Sequence, residues 1–230
     1  SWTSLEPEEG VYTFDWLEEV IDDLYAEGIY TFLATPGGAR PAWMSQKYPE
    51  VLRVNSERVR NLHGDRHNHC MTSPIYREMT RKINQALAKR FADHPGVILW
   101  HINNEYSGHC HCDLCQEAFR DWLKERYGTL DALNHAWWTK FWSHTYTDWS
   151  QIESPSMRGE HNLHGLNLDW KRFMTHQTKD FLEHEIRSVH EIDPSLPTTH
   201  NFWDYIELGS GIDPYVVAQP IDIVSCDNYP

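Results

Sequence analysis

The feature of this sequence that most constrains its fold is an alternation of short apolar segments with longer amphipathic ones. The apolar segments have the length of buried strands and lie at 29–34, 97–102, 196–202 and 221–226. In the amphipathic segments apolar residues recur every three or four positions, which is typical of helices that cover a core on one side. We predict helices at 15–27, about 113–127 and about 130–138. A further helix is predicted to begin at Ser73-Pro74 and to end at His94-Pro95-Gly96, and a long one to end at Asp193-Pro194. The alternation predicts parallel βαβ units with helices on both faces of one sheet.

Three details of these helices can be predicted. Asp15 is expected to cap the first helix, with Glu18 completing a capping box. Ser73 is expected to cap the second helix, because Pro74 follows it at the first helical position. In the long helix the inward-facing residues are expected to be Phe173, Phe181, Ile186 and Val189.

Chain length narrows the fold class. The chain has 230 residues, which suffices for one core and approaches the roughly 250 residues of a (β/α)8 barrel. A doubly wound sheet would give the same alternation, but no glycine-rich phosphate loop follows any predicted strand. We therefore predict an α/β fold of the TIM-barrel type, with residues 1–230 forming one partial catalytic domain.

Composition excludes several kinds of partner. The net charge of −14 argues against a nucleic acid and against an anionic membrane surface, since both are bound by an excess of Lys and Arg. No stretch approaches the roughly 18 apolar residues that a membrane span needs. The 11 Trp, 11 Tyr and 8 Phe suit a barrel core, and some of them also suit a cleft in which sugar faces lie on aromatic rings.

One carboxylate has the position expected of a catalytic acid. Glu105, preceded by Asn103 and Asn104, directly follows the predicted strand 97–102, and parallel α/β folds carry function at the carboxyl ends of their strands. Partial burial there would raise the pKa of the Glu105 carboxyl, so that it could hold a proton and act as a general acid. The Asn104 amide could hydrogen-bond a sugar hydroxyl. The alternative is that Glu105 caps the next segment or pairs with an Arg.

A cysteine cluster predicts a metal site. Four thiolates form a closed tetrahedral shell for a structural Zn²⁺, and such clustering does not fit a disulfide framework. A reducing, cytoplasmic location is therefore expected. Unligated thiols, a disulfide, or a catalytic zinc with His109 or His111 as a ligand are the alternatives. The four predicted ligands are Cys70, Cys110, Cys112 and Cys115.

The fifth cysteine, Cys226, lies within the predicted strand 221–226, outside the cluster. Its expected role is that of a small buried residue. It therefore has no predicted part in metal binding.

A set of short runs, spread in order over the whole chain, resembles glycoside hydrolase family 42, the bacterial β-galactosidases built on a (β/α)8 barrel. As a set these runs are highly specific, although none is so alone. The runs are Ser1-Trp2 with Leu5-Glu6-Pro7-Glu8-Glu9-Gly10, Ala34-Thr35-Pro36, Pro41-Ala42-Trp43, Arg66-x3-Cys70, Ser73-Pro74-x-Tyr76-Arg77, Trp100-His101-x-Asn103-Asn104-Glu105-Tyr106, Cys110-x-Cys112-x2-Cys115, Phe141-Trp142-Ser143 and Asp227-Asn228-Tyr229-Pro230.

The resemblance implies a retaining hydrolase that uses two Glu residues to remove terminal β-D-galactosyl groups from β-galactosides or galacto-oligosaccharides. Glu105 matches the acid/base at the end of the fourth barrel strand. The residues that match substrate-contacting positions are Arg66, Asn104, Trp142 and Tyr229. The family's loop bearing the Trp comes partly from a neighbouring subunit of a trimer, so a homotrimer is expected. The four cysteines match the zinc cluster of many members.

The sequence departs from the family pattern in one respect. The resemblance implies that the nucleophilic Glu ends the seventh strand, beyond residue 230, and that the first strand and most or all of the second precede Ser1. The expectation is an incomplete barrel that lacks the first and last strands and is inactive alone. Asp227 and Glu207 would be second carboxylates only if the resemblance misleads. The alternatives are a glycosidase of the same clan with another sugar specificity, metal-dependent hydrolysis, and a non-catalytic, zinc-stabilised sugar-binding barrel.

Overall fold

A four-stranded parallel sheet forms the centre of the protein. The structure is a computed structural model and describes residues 1–202 and 211–228. The order in the sheet, β1-β2-β3-β4, is also the order along the chain, so each connection leads to the neighbouring strand. This is the βαβ arrangement that the sequence predicts. The strands are β1 (Thr31–Ala34), β2 (Val97–His101), β3 (Thr198–Phe202) and β4 (Ile223–Cys226).

Helices occupy the connections, and the predicted ones are all confirmed. The longest, α7, has 27 residues, and no helix in the described ranges combines the length and apolarity that crossing a bilayer requires. In chain order the helices are α1 (Trp2–Leu5), α2 (Asp15–Ala26), α3 (Ala42–Lys47), α4 (Pro74–Phe91), α5 (Asp113–Tyr127), α6 (Leu130–Trp137), α7 (His164–His190) and α8 (Pro214–Val217), with 3₁₀ turns at Pro49–Val51 and Trp149–Gln151.

One of the two predicted helix caps is confirmed and the other is wrong. Ser73 caps α4, since its Oγ accepts a hydrogen bond from the Tyr76 backbone N–H at 3.3 Å. Asp15 does not cap α2, because it is the first helical residue and Phe14 precedes it without a side-chain cap. The carboxylates of Asp15 and Glu18 both contact the Arg90 guanidinium instead, which draws them away from the backbone N–H groups.

Helix α7 spans two hydrophobic clusters and joins them. Toward its C-terminus Phe181, Ile186 and Val189 pack with α4 and the sheet, and toward its N-terminus Phe173 packs with α5 and α6. The inward orientation predicted for these four residues is confirmed. The second cluster also contains the four cysteines, so the thiols lie in an apolar environment.

The sheet is open, as predicted for an incomplete barrel. Within the described residues β1 and β4 each pair with one neighbour. The inner strand β3 is buried along its whole length. The outer strands are more exposed, since Phe32 of β1 and Val224 of β4 are 62% and 61% exposed. The prediction that Cys226 is buried is wrong, because it lies on the edge strand β4 with its side chain exposed.

We predict that Gly165→Ala destabilises the protein. Alanine normally favours a helix over glycine by up to about 1 kcal/mol. Here a Cβ at Gly165 would lie 2.5 Å from ring atoms of Trp137, which is buried and donates to Asp169 Oδ2 at 2.8 Å. Overpacking of this kind costs about 1–3 kcal/mol of unfolding free energy, which urea denaturation measures.

The matched control is Gly159→Ala, whose added methyl meets no atom within 4 Å. Its unfolding free energy is expected to stay within about 0.5 kcal/mol of the parent protein. A Gly165→Ala variant more stable than this control would contradict the packing argument.

Candidate active site

Glu105 lies in a tight turn directly after β2. The backbone is left-handed at Asn103 (φ 56°) and at Glu105 (φ 42°), a conformation uncommon for residues other than glycine. The Asn103 N–H donates to Thr35 Oγ1 at 2.7 Å, and the Asn104 N–H donates to Asn103 Oδ1 at 2.8 Å. From β3, Asn201 Oδ1 accepts the Glu105 N–H at 3.2 Å. Side chains from two neighbouring strand ends thus fix the backbone of the turn.

A buried carboxylate, Glu185 of α7, supports the turn from behind. Its Oε2 accepts hydrogen bonds from the Asn103 amide at 2.8 Å and from the Tyr106 hydroxyl, and Oε1 accepts from the Asn84 amide at 3.4 Å. Burial raises the pKa of the Glu185 carboxyl, and these donors oppose the rise. The site leaves no room at Gly37, where a Cβ would lie 2.5 Å from Asn103 Nδ2 and 2.8 Å from Glu185 Oε1.

The Glu105 carboxyl is buried and has two side-chain partners. Arg66 Nη1 lies 2.6 Å from Oε2, and the Asn104 amide donates to Oε2 at 3.0 Å. Burial raises the pKa of Glu105 above its ordinary value, the Asp227 carboxyl raises it further, and the Arg66 guanidinium opposes both. The alternative prediction, that Glu105 pairs with an Arg, is therefore present as the contact with Arg66. The pKa of Glu105 is nevertheless raised.

Asp227 is a neighbour that sequence reasoning set aside. It follows β4, and its Oδ2 accepts a hydrogen bond from the Asn201 amide at 2.8 Å. Asn201 thus bridges the Glu105 backbone and the Asp227 side chain. The signal was available in the sequence, because residues that follow neighbouring parallel strands meet at one edge of the sheet.

Neutral histidines line the site. Burial lowers the pKa of His67 and of His200 to about 4, and it also lowers the pKa of His101. The His200 ring stacks on Tyr106, with ring centroids 4.6 Å apart. Near neutral pH these three histidines are therefore neutral and add no positive charge to the site.

One predicted substrate contact, Trp142, is not among the side chains that contact Glu105. Trp142 is 71% exposed, has a left-handed backbone (φ 48°), and stacks on Phe141 with ring centroids 4.7 Å apart. It does not join the buried side chains around Glu105. Tyr229 lies outside the described residues. The structure thus brings together Glu105, Asn104 and Arg66 from the predicted set.

The four predicted metal ligands come together as a compact group that could hold a metal ion. Their Sγ atoms all lie within 4.8 Å of one another, with Cys70 3.5 Å from both Cys112 and Cys115. Tetrahedral zinc with Zn–S bonds of 2.3 Å needs sulfur atoms about 3.8 Å apart, so the spacing fits. All four are free thiols, which contradicts the disulfide alternative. The ligand group contains neither His109 nor His111, and His111 Nδ1 pairs instead with Ser154 Oγ at 2.7 Å.

A half-buried arginine, Arg53, connects this thiol cluster to the Glu105 turn. Arg53 donates from Nη2 to the Ser107 carbonyl at 2.8 Å and from Nε to the His69 carbonyl at 3.4 Å. Burial lowers the pKa of Arg53, and nearby Cys110 and other cluster thiols oppose that shift. Gly108 permits the approach, since a Cβ there would lie 1.9 Å from Arg53 Nη1. Sequence reasoning missed Arg53 because no local motif marks it.

Comparisons with known proteins agree with this geometry. The family profile described as beta-galactosidase, glycoside hydrolase family 42, matches residues 1–230. The chain is 62% identical to beta-galactosidase BglY of Alicyclobacillus acidocaldarius and 57% identical to GanA of Bacillus subtilis, over 100% of its own length and 33% and 35% of theirs.

The crystal structure of the cold-adapted β-galactosidase from Rahnella sp. R3 superposes with a TM-score of 0.96 at 61% identity, covering 100% of this chain and 33% of that one. The open sheet is therefore part of a (β/α)8 barrel, as predicted. The chain spans about a third of the length of the relatives it matches. It belongs to glycoside hydrolase family 42.

Proposed function

We propose that these residues supply the acid/base side of the active site of a retaining β-galactosidase. The observation that carries the proposal is the Glu105 carboxyl, which is buried at the carboxyl edge of the sheet, touches Arg66 and has a raised pKa. A general acid must hold a proton near neutral pH, and this environment favours the protonated form. The matched relatives are named beta-galactosidases, which supports terminal β-D-galactosyl groups as the substrate.

In the proposed reaction Glu105 acts twice. It first donates its proton to the glycosidic oxygen while a second carboxylate attacks the anomeric carbon, and it then removes a proton from the water that releases the sugar. The resemblance to the family supports a Glu as the attacking group, in the part of the relatives that these residues do not cover.

The substrate contacts belong to the same proposal. Arg66 is half exposed beside the Glu105 carboxyl, and Asn104 is partly buried there, so both can reach the hydroxyls of a bound sugar. The exposed indole of Trp142 suits an apolar sugar face, supplied to this site or to that of a neighbouring subunit in a homotrimer. Tyr229 is proposed as a further contact on the basis of the resemblance alone.

We also propose that the thiol cluster holds a structural Zn²⁺. The observations that support zinc are four buried sulfurs at tetrahedral spacing and the half-buried guanidinium of Arg53 beside them. Four thiolates fill the coordination shell, so the ion would supply a cross-link between the loop before α4 and the start of α5. Free thiols of this kind persist in a reducing compartment, which supports a cytoplasmic location.

The first test removes the acid. In the protein that carries these residues, Glu105→Ala is expected to lower the turnover of phenyl β-galactoside about 10²–10⁴-fold, since phenolate needs protonation to leave. Galactosylation by dinitrophenyl β-galactoside, whose leaving group needs no proton, is expected to fall far less. Added azide should restore turnover of the activated substrate and yield β-galactosyl azide, which NMR identifies.

The matched control is Glu27→Ala, which removes an exposed carboxylate at the end of α2 and should leave both rates unchanged. Equal losses on the phenyl and dinitrophenyl substrates would contradict the acid/base role of Glu105.

The second test removes the metal. Elemental analysis is expected to find one zinc ion per chain. The double variant Cys112→Ser, Cys115→Ser is expected to bind no zinc and to have a Tm lower by about 5 °C or more. Cys226→Ser, at the exposed cysteine outside the cluster, is the control and should change neither zinc content nor Tm. Activity lost on chelation while the protein remains folded at an unchanged Tm would instead favour a catalytic metal.

A further inference from the structure

A glutamine lies on the buried, apolar face of α7. Phe173, Gln177 and Phe181 follow one another at intervals of four residues, so they share one side of the helix. All three are buried, and each of the two phenylalanines belongs to one of the two hydrophobic clusters. A buried amide without partners costs free energy, so the partners of Gln177 indicate what keeps a polar group there.

The partners of Gln177 are a hydroxyl and a sulfur of the thiol cluster. Its Nε2 donates to Thr72 Oγ1, and it also donates to Cys115 Sγ at 3.7 Å. Thr72 Oγ1 in turn lies 3.3 Å from the same sulfur. Cys115 therefore has two polar side-chain neighbours that are not among the four proposed metal ligands.

The directions of these hydrogen bonds follow from the donors that are available. The Gln177 amide nitrogen carries two hydrogens and accepts none, so it can donate to the hydroxyl and to the sulfur together. The Thr72 oxygen accepts one of these bonds, which leaves the hydroxyl hydrogen free to point at Cys115 Sγ. Both side chains can thus donate to one sulfur, which orients it and stabilises the negative charge that it carries as a metal ligand.

The same two residues lie between Cys115 and a cleft at the surface. The cleft runs between α5 and α7, and Thr72 and Gln177 are among the residues that line it, whereas Cys115 is fully buried. A substitution at Gln177 that removes volume would therefore also admit water toward the sulfur. One that keeps the volume removes the hydrogen bonds alone, which makes their contribution measurable.

We propose that Gln177 and Thr72 are positioning residues for the metal ligand Cys115, which orient its sulfur and stabilise its charge when it binds zinc. The inference rests on the proposed zinc site and adds to it two residues outside the four ligands. Residues that hydrogen-bond a metal ligand contribute about 10–100-fold to metal affinity. Gln177 lies 62 positions from Cys115, so α7 brings a distant part of the chain to the metal site.

The test is the affinity for Zn²⁺ of the protein that carries these residues, measured by competition with a chelator of known affinity and elemental analysis of the protein. Gln177→Leu keeps a side chain of similar volume beside the cleft but donates no hydrogen bond, so zinc affinity should fall about 10–100-fold. Thr72→Val replaces the hydroxyl by a methyl group and should also lower it. Thr72→Ser keeps the hydroxyl and should retain an affinity near that of the parent protein.

Substitution of Co²⁺ for zinc gives a readout that a purely structural role would not change. A hydrogen bond donated to sulfur stabilises its electrons, so it raises the energy of charge transfer from the thiolate to Co²⁺. In Gln177→Leu and Thr72→Val the charge-transfer band in the absorption spectrum should therefore move to longer wavelength. The ligand-field bands of tetrahedral Co²⁺ should keep their position, since all four cysteines remain.

The matched control is Thr178→Val, the substitution made at Thr72 transferred to the position after Gln177. The Thr178 hydroxyl is buried and donates to the Met174 carbonyl at 2.8 Å within α7. Its zinc affinity and Co²⁺ spectrum should coincide with those of the parent protein. An equal loss of zinc affinity in this control would indicate a general loosening of α7 and would overturn the inference.

Two further results would count against the positioning role. One is parent-like zinc affinity, or an unmoved charge-transfer band, in both Gln177→Leu and Thr72→Val. The other is failure of both variants to fold, because a loss of this size at the metal site does not prevent folding. A parent protein that binds no zinc at all would refute the zinc site itself, whereas a zinc-binding parent with unaffected variants refutes the positioning role alone.

Discussion

The hydrogen bond between the Asn103 amide and the buried Glu185 carboxylate is the interaction on which the candidate site depends. A polar group without partners in a protein core is costly, and the Glu185 carboxyl is tolerated because Asn103, Tyr106 and Asn84 all donate to it. Residues held in left-handed conformations cost about 1–3 kcal/mol each and persist only where the surroundings over-determine them. The bond to Glu185 orients the Asn103 side chain, whose Oδ1 then receives the Asn104 N–H. Because α7 packs against the sheet and carries Glu185, this chain of hydrogen bonds fixes the position of Glu105.

The thiol cluster acts on the other end of the same turn. Arg53 lies between them, with one hydrogen bond to the Ser107 carbonyl and its guanidinium against Gly108, two residues before Cys110. Four thiolates around a divalent ion carry a net negative charge, and the half-buried guanidinium of Arg53 would offset part of it. Metal binding would therefore favour the charged Arg53 that holds the 105–110 segment. A structural metal can in this way support the acid without touching substrate.

The sequence predicted those features that depend on local pattern. The strands, the Ser73 cap and the cysteine spacing are each recognisable within a few residues, and the position of Glu105 follows from its place after a strand. Glu185 was missed because a single acidic residue within a helix normally faces water, and only the tertiary fold supplies its three donors. Asp15 was misjudged because Arg90, 75 positions away, competes for its carboxylate. The exposure of Cys226 could not be predicted, since the sequence of a strand does not tell whether the strand lies at the edge of its sheet.

The surroundings of Glu105 show why long-range geometry matters for the chemistry as well as for the fold. Arg66 alone would favour the ionised form of Glu105, which suits a base but not an acid, and burial alone would favour the protonated form, which suits an acid but not a base. Both influences act on one carboxyl, because Arg66 Nη1 lies 2.6 Å from Oε2 while the side chain is buried. Burial, together with the Asp227 carboxyl, outweighs the guanidinium, so the pKa of Glu105 is raised.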